Sequence, residues 1–372
     1  MIAIYKNKFS EVDYMFKRNV KFIFSMIMCV IITLSFSSSP VSTNVLAATS
    51  FSKGADIGWL NQLESMGVKW QNDSGVQQDP LQILKDHGID SIRLRVFVNP
   101  PSNFQWNGCL LGYSDSKGVI YMAQRAKKLG MKIMIDFHYS DHFADPGRQD
   151  MPAAWASHSF SQLQTDVYSH TSYVMNELKK VGIYPEWVQV GNETNGGMMW
   201  PAGSSSNFGQ WSQLINQGYN AVKAVSPSSK VIIHLANGPK NSLYRYVFDG
   251  LKNAGAKYDV IGFSYYPHWD GVDYTQSIDA LAYNLNDMAS RYGKEVMVCE
   301  VGGHEGNPSN TYNMIKAVIS KVQAVPNGKG LGVFYWEPEA NTTVLPDKYP
   351  LGATTKVATN VLKFTTAIDA FK

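Results

Sequence analysis

Short apolar, β-branched runs alternate with longer amphipathic stretches from Lys53 to the end of this 372-residue chain. This alternation is typical of successive strand–helix units on a parallel sheet, because buried parallel strands are apolar on both faces and their crossover helices carry one apolar face. No Pro- or Ser-rich linker interrupts the pattern. We therefore predict that residues 48–372 form one domain.

The predicted strands number eight: Gly54–Ile57, Ser91–Val98, Lys132–Phe137, Trp187–Val190, Val231–Leu235, Val260–Ser264, Val296–Cys299 and Gly332–Tyr335. Each is followed by a predicted helix: Pro80–Asp86, Lys117–Lys128, Leu163–Lys179, Phe208–Ala224, Leu243–Asn253, Ile278–Arg291, Thr311–Val322 and Lys356–Ala370. Glycines that mark helix C-termini come just after five of these stretches, at Gly88, Gly130, Gly182, Gly255 and Gly293. The pattern predicts an α/β fold, a single (β/α)8 TIM barrel. The alternative is an open doubly wound sheet, but no Gly-rich phosphate-binding turn follows the first strand.

Residues 1–47 have the features of a secretory signal peptide. Lys17, Arg18 and Lys21 precede an uncharged apolar run over residues 22–36, and small residues lie at the predicted cut after Ala47. The segment before Lys17 is long for such a leader, so Met15 is an alternative start. An uncleaved N-terminal anchor is the other interpretation. The leader predicts a secreted protein with no membrane association after cleavage.

Charge excludes two classes of partner. The formal net charge is +3, but the first 47 residues hold five of the 33 basic and two of the 30 acidic side chains. Residues 48–372 are therefore electrically balanced, and neither nucleic acid nor an anionic membrane is a predicted partner. Cys109 and Cys299 remain in this region, and we expect two free thiols rather than a disulfide.

In a (β/α)8 barrel the active site lies at the C-terminal ends of the strands. Charged groups there are costly unless they are paired or used. The polar and aromatic residues that end the predicted strands are Asp56, Arg93, Arg95, Asp136, His138, Asn192, Glu193, His234, Tyr265, Tyr266, Glu300, Trp336 and Glu337.

Two of these carboxylates define a candidate reaction. Glu193 follows the fourth strand in V-Q-V-G-N-E, and Glu300 follows the seventh in V-M-V-C-E. Two carboxyl groups that face one cleft are what glycoside hydrolysis requires, and a separation of about 5–5.5 Å would mean retention whereas about 8 Å would mean inversion. The alternative is that each carboxylate is the buried partner of an arginine.

Arginines and tryptophans refine this prediction. We expect Arg95 to reach Glu300 and keep it ionised as the nucleophile, with Arg93 as a competitor for that role. Glu193 would then be the acid, with a raised pKa. Tryptophans in the loops after strands would stack on sugar rings, with Trp336 as the floor of the central subsite; the others are Trp106, Trp155, Trp200 and Trp269.

Two other chemistries are weaker alternatives. The loop after the third strand, D-F-H-Y-S-D-H-F-A-D-P-G-R-Q, contains five residues of metal-ligating type: Asp136, His138, Asp141, His142 and Asp145. Other strand ends supply few histidines to complete a metal centre, so we predict neither a metal ion nor a cofactor. A serine nucleophile is disfavoured because the G-x-S-x-G motif is absent.

The segments I-L-K-D-H-G-I-D-S-I-R-L-R, D-F-H-Y-S-D-H-F-A-D-P-G-R-Q, V-Q-V-G-N-E-T-N-G-G-M and V-F-Y-W-E-P together resemble glycoside hydrolase family 53, the endo-β-1,4-galactanases of clan A. The resemblance implies retaining hydrolysis of β-1,4-galactan in type I arabinogalactan, with Glu193 as acid/base and Glu300 as nucleophile. It also implies substrate-binding roles for Arg95, His138, Asp145, Pro146, Gly147, Arg148, Asn192, Tyr265 and Trp336, and the strand-end residue Asp136 is a further candidate for substrate binding.

One segment departs from the family. The loop after Glu300, V-G-G-H-E-G-N-P-S-N, is short, whereas many bacterial members have a longer loop there that in some binds calcium. We therefore expect no calcium, and Glu305 is a minor rival nucleophile. We expect a monomer. The alternatives to a galactanase are another clan A β-glycanase (a mannanase, xylanase or glucanase), a non-catalytic carbohydrate-binding barrel and a metal-dependent hydrolase.

Overall fold

The predicted barrel is present. The computed structural model describes residues 51–103 and 105–372, and the predicted signal peptide lies outside the described residues. Eight parallel strands close into a barrel in which each strand pairs with its neighbours in chain order. They are β1 (Ser52–Asp56), β2 (Ser91–Val96), β3 (Lys132–Phe137), β4 (Trp187–Val190), β5 (Lys230–Leu235), β6 (Val260–Tyr265), β7 (Glu295–Val301) and β8 (Gly330–Trp336).

Helices connect successive strands. They are α1 (Leu60–Ser65), α2 (Pro80–Asp86), α3 (Ser116–Lys128), α4 (Phe160–Lys180), α5 (Phe208–Val225), α6 (Asn241–Asn253), α7 (Ile278–Tyr292) and α8 (Pro308–Gln323). Polar N-caps start several of them: the Asp79 side chain accepts from the Leu81 amide before α2, and Ser159 with Gln162 forms a capping box at α4. None of the helices among the described residues is long and apolar enough to span a bilayer.

Short elements decorate the loops. Two-residue strands pair as Gln105–Trp106 with Cys109–Leu110 and as Gly197–Met198 with Gly203–Ser204, and a small sheet joins Thr354–Ala358, Val361–Phe364 and Lys69–Gln71. One-turn and two-turn 3-10 helices lie at Leu111–Ser114, Ala153–Trp155, Tyr274–Gln276, Pro326–Gly328 and Thr366–Phe371.

Cys109 and Cys299 are both free and buried, which confirms the expected pair of thiols.

The strands divide the barrel interior into an apolar layer and a polar layer. Alternate residues point inward, and the lower layer is filled by Met134, Trp187, Ile232, Val260, Met297, Cys299, Leu331 and Phe334. Gly54 makes room for this packing, since a Cβ there would lie 2.1 Å from the ring of Phe334. Nearer the C-terminal ends of six of the strands, the inward positions are polar: Asp56, Arg93, Asp136, Gln189, His234 and Ser264, all buried. The barrel therefore presents its polar layer at the C-terminal ends of the strands.

The predicted closing helix Lys356–Ala370 is wrong. Residues Thr354–Ala358 and Val361–Phe364 form an antiparallel hairpin, and only Thr366–Phe371 is helical, as a 3-10 helix. The segment is rich in β-branched residues, which favour strands, and Asn360 adopts a positive φ of 53° at the turn, a conformation that asparagine tolerates. The hairpin then pairs in parallel with Lys69–Gln71.

Gly88, the residue after the C-cap of α2, packs against the C-terminal 3-10 helix Thr366–Phe371 and gives a test of that contact. It has a φ of +94°, and a Cβ there would lie 2.4 Å from the carbonyl oxygen of Phe371. Gly88→Ala should lower the free energy of unfolding by about 2–5 kcal/mol, because backbone strain adds to a collision with main-chain atoms. Gly130→Ala is the matched control, since Gly130 has a φ of +71° with open space around it; it should cost about 1–2 kcal/mol. Equal losses in urea unfolding of the two variants would contradict the packing described here.

Candidate active site

One cavity of about 390 Å³ opens at the C-terminal ends of the barrel strands. Seven of the predicted site residues line it: His138, Asp145, Pro146, Asn192, Glu193, Glu300 and Trp336. Both candidate carboxylates therefore face the same space, although they are more than a hundred residues apart in the chain.

Glu193 reaches the cavity through a sharply bent backbone. After β4 ends at Val190, Gly191 has a φ of 89° and Glu193 itself has a φ of 44°. Such a conformation costs about 1–3 kcal/mol in a residue other than glycine and needs support from its surroundings. Gln149 supplies it, because its buried amide nitrogen donates to the carbonyl oxygens of Asn192 at 2.8 Å and Glu193 at 3.4 Å.

The Glu193 carboxyl group has a hydroxyl as its hydrogen-bond partner. Ser264 at the end of β6 donates to Oε1 of Glu193 at 2.6 Å. Burial raises the pKa of Glu193 to about 7, while the Ser264 hydrogen bond and the charge of Arg93 oppose that shift. A carboxyl group with this pKa is protonated in a large fraction of molecules near neutrality, as a general acid requires.

An irregularity in β7 turns Glu300 inward. Met297 and Cys299 both point into the barrel, so strict alternation would turn Glu300 outward. The pairing of β6 with β7 shifts at this point, and Ser264 pairs with Glu300 instead of Cys299. Shifts of this kind re-aim side chains next to active sites, and here Glu300 lines the cavity.

Glu300 is held by one cation and one phenol. Nη2 of Arg93 lies 2.9 Å from Oε1, and the Tyr266 hydroxyl donates to Oε2 at 3.1 Å. Burial raises the pKa of Glu300, and the neighbouring guanidinium acts in the opposite direction by favouring the ionised form. Both partners orient the carboxylate and favour its anion.

The side chain of Arg93 is buried at the centre of the polar layer. It forms ion pairs with Asp56 at 2.7 Å and Asp136 at 2.9 Å in addition to the pair with Glu300. Its remaining contacts are to Oε1 of Gln189 at 2.7 Å and Oδ1 of Asn192 at 2.9 Å. These neutral and charged partners satisfy a cation that would otherwise be very costly to bury.

The expected contact between Arg95 and Glu300 is wrong, and Arg93 makes that contact. Arg95 lies one layer further along β2, where its guanidinium pairs with Glu337, the residue after β8, and at 3.4 Å with Asp56. It lies over the rings of Trp59 at 5.2 Å and Trp336 at 5.8 Å. Arg95 therefore supports the aromatic wall of the cavity, and it is absent from the lining residues.

Tyr265 is also misplaced by the sequence prediction. It points outward from β6, is 1% exposed, and its hydroxyl donates to the Tyr274 carbonyl oxygen at 3.1 Å. Strand alternation explains this, because Ser264 points inward and Tyr265 must point to the helices. Tyr266, just past the strand, is the tyrosine that lines the cavity and contacts Glu300.

Asp136 and His138 form a buried pair at the cavity, and His138 is the member that lines it. Nε2 of His138 lies 3.0 Å from Asp136, and its Nδ1 accepts from the Ala144 amide at 2.9 Å. Burial lowers the pKa of His138, and the Arg93 and His138 side chains lower the pKa of Asp136 against the effect of burial. The pair holds the start of the β3 loop in place.

The rest of the β3 loop forms one side of the cavity. Asp145 and Pro146 line it, the Gly147 amide donates to the Asp145 side chain at 2.8 Å, and Arg148 lies over the ring of Trp106 at 4.4 Å. Gly147 and Arg148 are absent from the lining residues. The five residues considered as metal ligands do not converge on one point: Asp136 pairs with His138 at 3.0 Å, and His142 lies 3.3 Å from Asp150. Within residues 51–103 and 105–372 there is no group of three or more His, Cys, Asp or Glu side chains arranged to hold a metal ion.

Aromatic rings form the remaining walls. Trp336 contacts Trp59 and Tyr349 edge to face, with ring centroids 4.9 Å and 4.7 Å apart. Trp106, Trp269, Trp59 and Tyr349 also line the cavity, whereas Trp155 and Trp200 do not. Trp59 was missed by the sequence prediction, although its place directly after β1 was a signal for it.

Glu305 has a structural role. Its carboxylate accepts hydrogen bonds from the Thr342 amide at 3.1 Å and from the Thr342 hydroxyl. Its own amide donates to Pro350 at 2.9 Å. These contacts tie the short loop after β7 to the loop after β8, and Glu305 does not line the cavity.

Comparison with known proteins agrees with this geometry. The family model for glycosyl hydrolase family 53 matches residues 52–371. An endo-β-1,4-galactanase of Bacillus subtilis (strain 168) is 35% identical over 309 residues, which cover 77% of this chain and 70% of the relative. An arabinogalactan endo-β-1,4-galactanase of Cellvibrio japonicus is 33% identical over 325 residues, covering 80% and 82%.

Two solved structures are similar over nearly their whole length. A fungal β-1,4-galactanase has a TM-score of 0.76 at 28% identity and covers 86% of this chain and 98% of its own. The family 53 catalytic domain of Ignisphaera aggregans has a TM-score of 0.74 at 30% identity, covering 88% and 97%. The family match spans almost all the described residues and the relatives share the closed barrel, so the chain belongs to glycosyl hydrolase family 53 and is a glycoside hydrolase.

Proposed function

We propose that the protein is a secreted, retaining endo-β-1,4-galactanase that hydrolyses β-1,4-galactan in type I arabinogalactan. The observation that carries this proposal is the unequal environment of two carboxyl groups in one cavity. Arg93 contacts Glu300 at 2.9 Å, whereas the hydrogen-bond donor to Glu193 is the neutral hydroxyl of Ser264. The relatives named as galactanases support the choice of substrate.

The division of roles follows from charge. Glu300, next to a guanidinium, is the carboxylate that stays ionised and attacks the anomeric carbon. Glu193, with its pKa raised to about 7, protonates the leaving glycosidic oxygen and later takes a proton from the water that hydrolyses the glycosyl–enzyme. Because one carboxyl acts as nucleophile, the product keeps the configuration of the substrate.

Asn192 and the aromatic walls position the sugar. One N–H of the Asn192 amide donates to the Ala144 carbonyl oxygen at 2.8 Å, and the other is available to the 2-hydroxyl of the central sugar. Trp336 offers a flat apolar surface next to both carboxylates, which suits the C–H face of a galactose ring. His138 and Asp145 line the cavity as further polar partners.

Secretion rests on the sequence of the leader, with its basic start and its apolar run over residues 22–36. N-terminal sequencing of the protein from culture medium tests the predicted cut, and a retained residue 1 would refute it. We also propose that the protein is a monomer.

The first prediction concerns the substrate and both carboxylates. Purified enzyme should release oligosaccharides from β-1,4-galactan, and Glu193→Gln or Glu300→Gln should lower kcat by about 10²–10⁴-fold, because each variant removes the proton transfer or the nucleophile. Reducing-end assays measure the rate, and NMR of the first product should show the β-anomer.

Three controls bear on this prediction. Glu305→Gln should retain kcat, because Glu305 lies outside the cavity. Mannan, xylan and β-glucan should be poor substrates. Hydrolysis of mannan or xylan at the rate of galactan would refute galactan as the specific substrate. Release of the α-anomer would exclude retention. Full activity in Glu193→Gln would refute the catalytic role of Glu193.

The second prediction is the pH dependence of catalysis. The acid form of Glu193 is needed, and burial raises the pKa of this group to about 7. Therefore kcat/KM should be high below this pKa and should fall as the pH rises through about 7. Measurement of kcat/KM from about pH 4 to about pH 9 tests this, and an alkaline limb near the ordinary glutamate pKa of about 4.3 would contradict it.

The third prediction separates two adjacent tyrosines. Tyr266→Phe removes a donor to Glu300 and should lower kcat about 10-fold or more, because hydrogen bonds to charged groups contribute about 1.5–3 kcal/mol. Tyr265→Phe removes a hydroxyl that binds Tyr274 and should reduce unfolding free energy by about 1 kcal/mol with kcat retained. If Tyr265→Phe lowered kcat and Tyr266→Phe did not, Tyr265 would be the tyrosine of the active site.

A further inference from the structure

A buried chain of hydrogen bonds approaches Glu193 from behind the cavity. Ser264 donates to Oε1 of Glu193 at 2.6 Å, and Nε2 of His234 lies 2.8 Å from the Ser264 hydroxyl. On the other side of the ring, Nδ1 of His234 lies 3.0 Å from Nε2 of Gln189. Gln189, His234 and Ser264 are at most 1% exposed, so solvent does not provide alternative partners for these atoms.

The chain has a direction that starts at Arg93. A guanidinium only donates hydrogen bonds, and Nε of Arg93 lies 2.7 Å from Gln189. The Gln189 atom that faces Arg93 is therefore the amide oxygen, and the amide nitrogen faces the other way. That nitrogen donates to Asp136 at 3.0 Å and turns its second hydrogen toward Nδ1 of His234.

This arrangement assigns the tautomer of His234. A donor at Nδ1 requires an unprotonated nitrogen there, so the ring proton lies on Nε2 and is donated to Ser264. Oδ1 of Asn192 also lies 3.0 Å from Nδ1 and accepts from Arg93 at 2.9 Å; a proton on Nδ1 would face the second hydrogen of the Gln189 amide and leave that hydrogen without an acceptor. Burial, and next the charge of Arg93, lower the pKa of His234, which keeps the ring neutral.

The Ser264 hydroxyl then has one role left. Its oxygen accepts from His234, so its hydrogen is free to be donated to Oε1 of Glu193. The second carboxyl oxygen, Oε2, accepts no hydrogen bond from any described residue, and the partly exposed Glu193 side chain lines the cavity. An oxygen that accepts a strong hydrogen bond is the less basic of the two.

We propose that Gln189, His234 and Ser264 are positioning residues that fix Oε1 of Glu193 as an acceptor and so place the catalytic proton on Oε2, toward the substrate. This inference rests on the proposed acid/base role of Glu193. Arg93 then orients both carboxyl groups. It contacts Glu300 directly, and it acts on Glu193 through Gln189, His234 and Ser264.

Other charged groups also face these side chains. Asp136 on β3, Asp145 in the β3 loop and Arg93 on β2 act on Glu193 through space, and Asp136, His138 and Arg93 act on His234. These groups stay in place when Ser264 is truncated. Loss of the Ser264 hydroxyl therefore isolates the effect of this chain of hydrogen bonds on Glu193.

The first test is the pH profile of Ser264→Ala on β-1,4-galactan. The ionised form of Glu193 loses a donor, so the alkaline limb of kcat/KM should move upward by about one to two pH units. We expect kcat to fall about 10-fold or more with KM nearly unchanged, and Ser264→Thr should restore both. Ser229→Ala, at a buried serine that donates to Pro185 outside the cavity, is the control and should keep the wild-type profile. If kcat fell but the alkaline limb of kcat/KM did not move, Ser264 would have only a packing role and the proposal would be overturned.

The second test does not depend on activity. Nitrogen-15 NMR of histidine-labelled protein reports which ring nitrogen carries the proton, and His234→Gln identifies the signal by its loss. We expect a neutral His234 protonated on Nε2, and the same signal in Glu193→Gln. Protonation on Nδ1, or a doubly protonated ring, would overturn the proposal. If Glu193→Gln were fully active while this tautomer was observed, the proposed function would fail and the assigned direction of the chain would stand.

Discussion

The burial of Arg93 is the constraint on which the active site depends. Its side chain is fully buried, and its charge would be prohibitively costly there without compensation. Carboxylates from β1, β3 and β7 surround it, at Asp56, Asp136 and Glu300, and the amides of Gln189 and Asn192 complete its hydrogen bonds. Five strands are therefore fixed relative to one another at the level where chemistry takes place. The removal of any one partner would leave part of the buried guanidinium without a hydrogen-bond acceptor, which is why the polar layer acts as a unit.

The same cation makes the two carboxyl groups different. Two buried carboxyls near each other cannot both ionise freely, and the position of the guanidinium decides which one does. Burial raises the pKa of both groups, but Glu300 contacts the Arg93 guanidinium, which favours its anion, whereas the hydrogen-bond donor to Glu193 is a neutral hydroxyl. An acid and a nucleophile thus arise from the same residue type through their surroundings. The strained φ of Glu193 and the irregular pairing of β7 show that backbone geometry was adapted at both positions.

The sequence was sufficient for the barrel and for the candidate carboxylates, because both depend on local pattern. Apolar runs of strand length followed by amphipathic stretches identified all eight strands, and residues after those runs must lie at one end of a parallel barrel. The predicted helix Lys356–Ala370 failed because the segment is rich in β-branched residues, which favour strands, and it forms a hairpin. Arg95 and Tyr265 failed for a different reason. Arg93 and Arg95 point to the same side of β2, and only the three-dimensional register shows which one reaches Glu300. Tyr265 could have been rejected from strand alternation alone, since Ser264 takes the inward position.

The aromatic walls of the cavity come largely from residues in the loops after the strands. Trp59 after β1, Trp336 at the end of β8 and Tyr349 in the following loop contact one another. Trp336 meets the other two rings edge to face, Trp59 and Tyr349 are tilted against each other, and Arg95 lies over the two tryptophans. Glu305 holds the loop that carries Tyr349 by binding Thr342. The short loop after β7 is therefore anchored by a carboxylate through hydrogen bonds to a neighbouring loop. A rigid barrel fixes the reacting groups, while loop contacts of this kind determine the shape of the surface on which a sugar ring can stack.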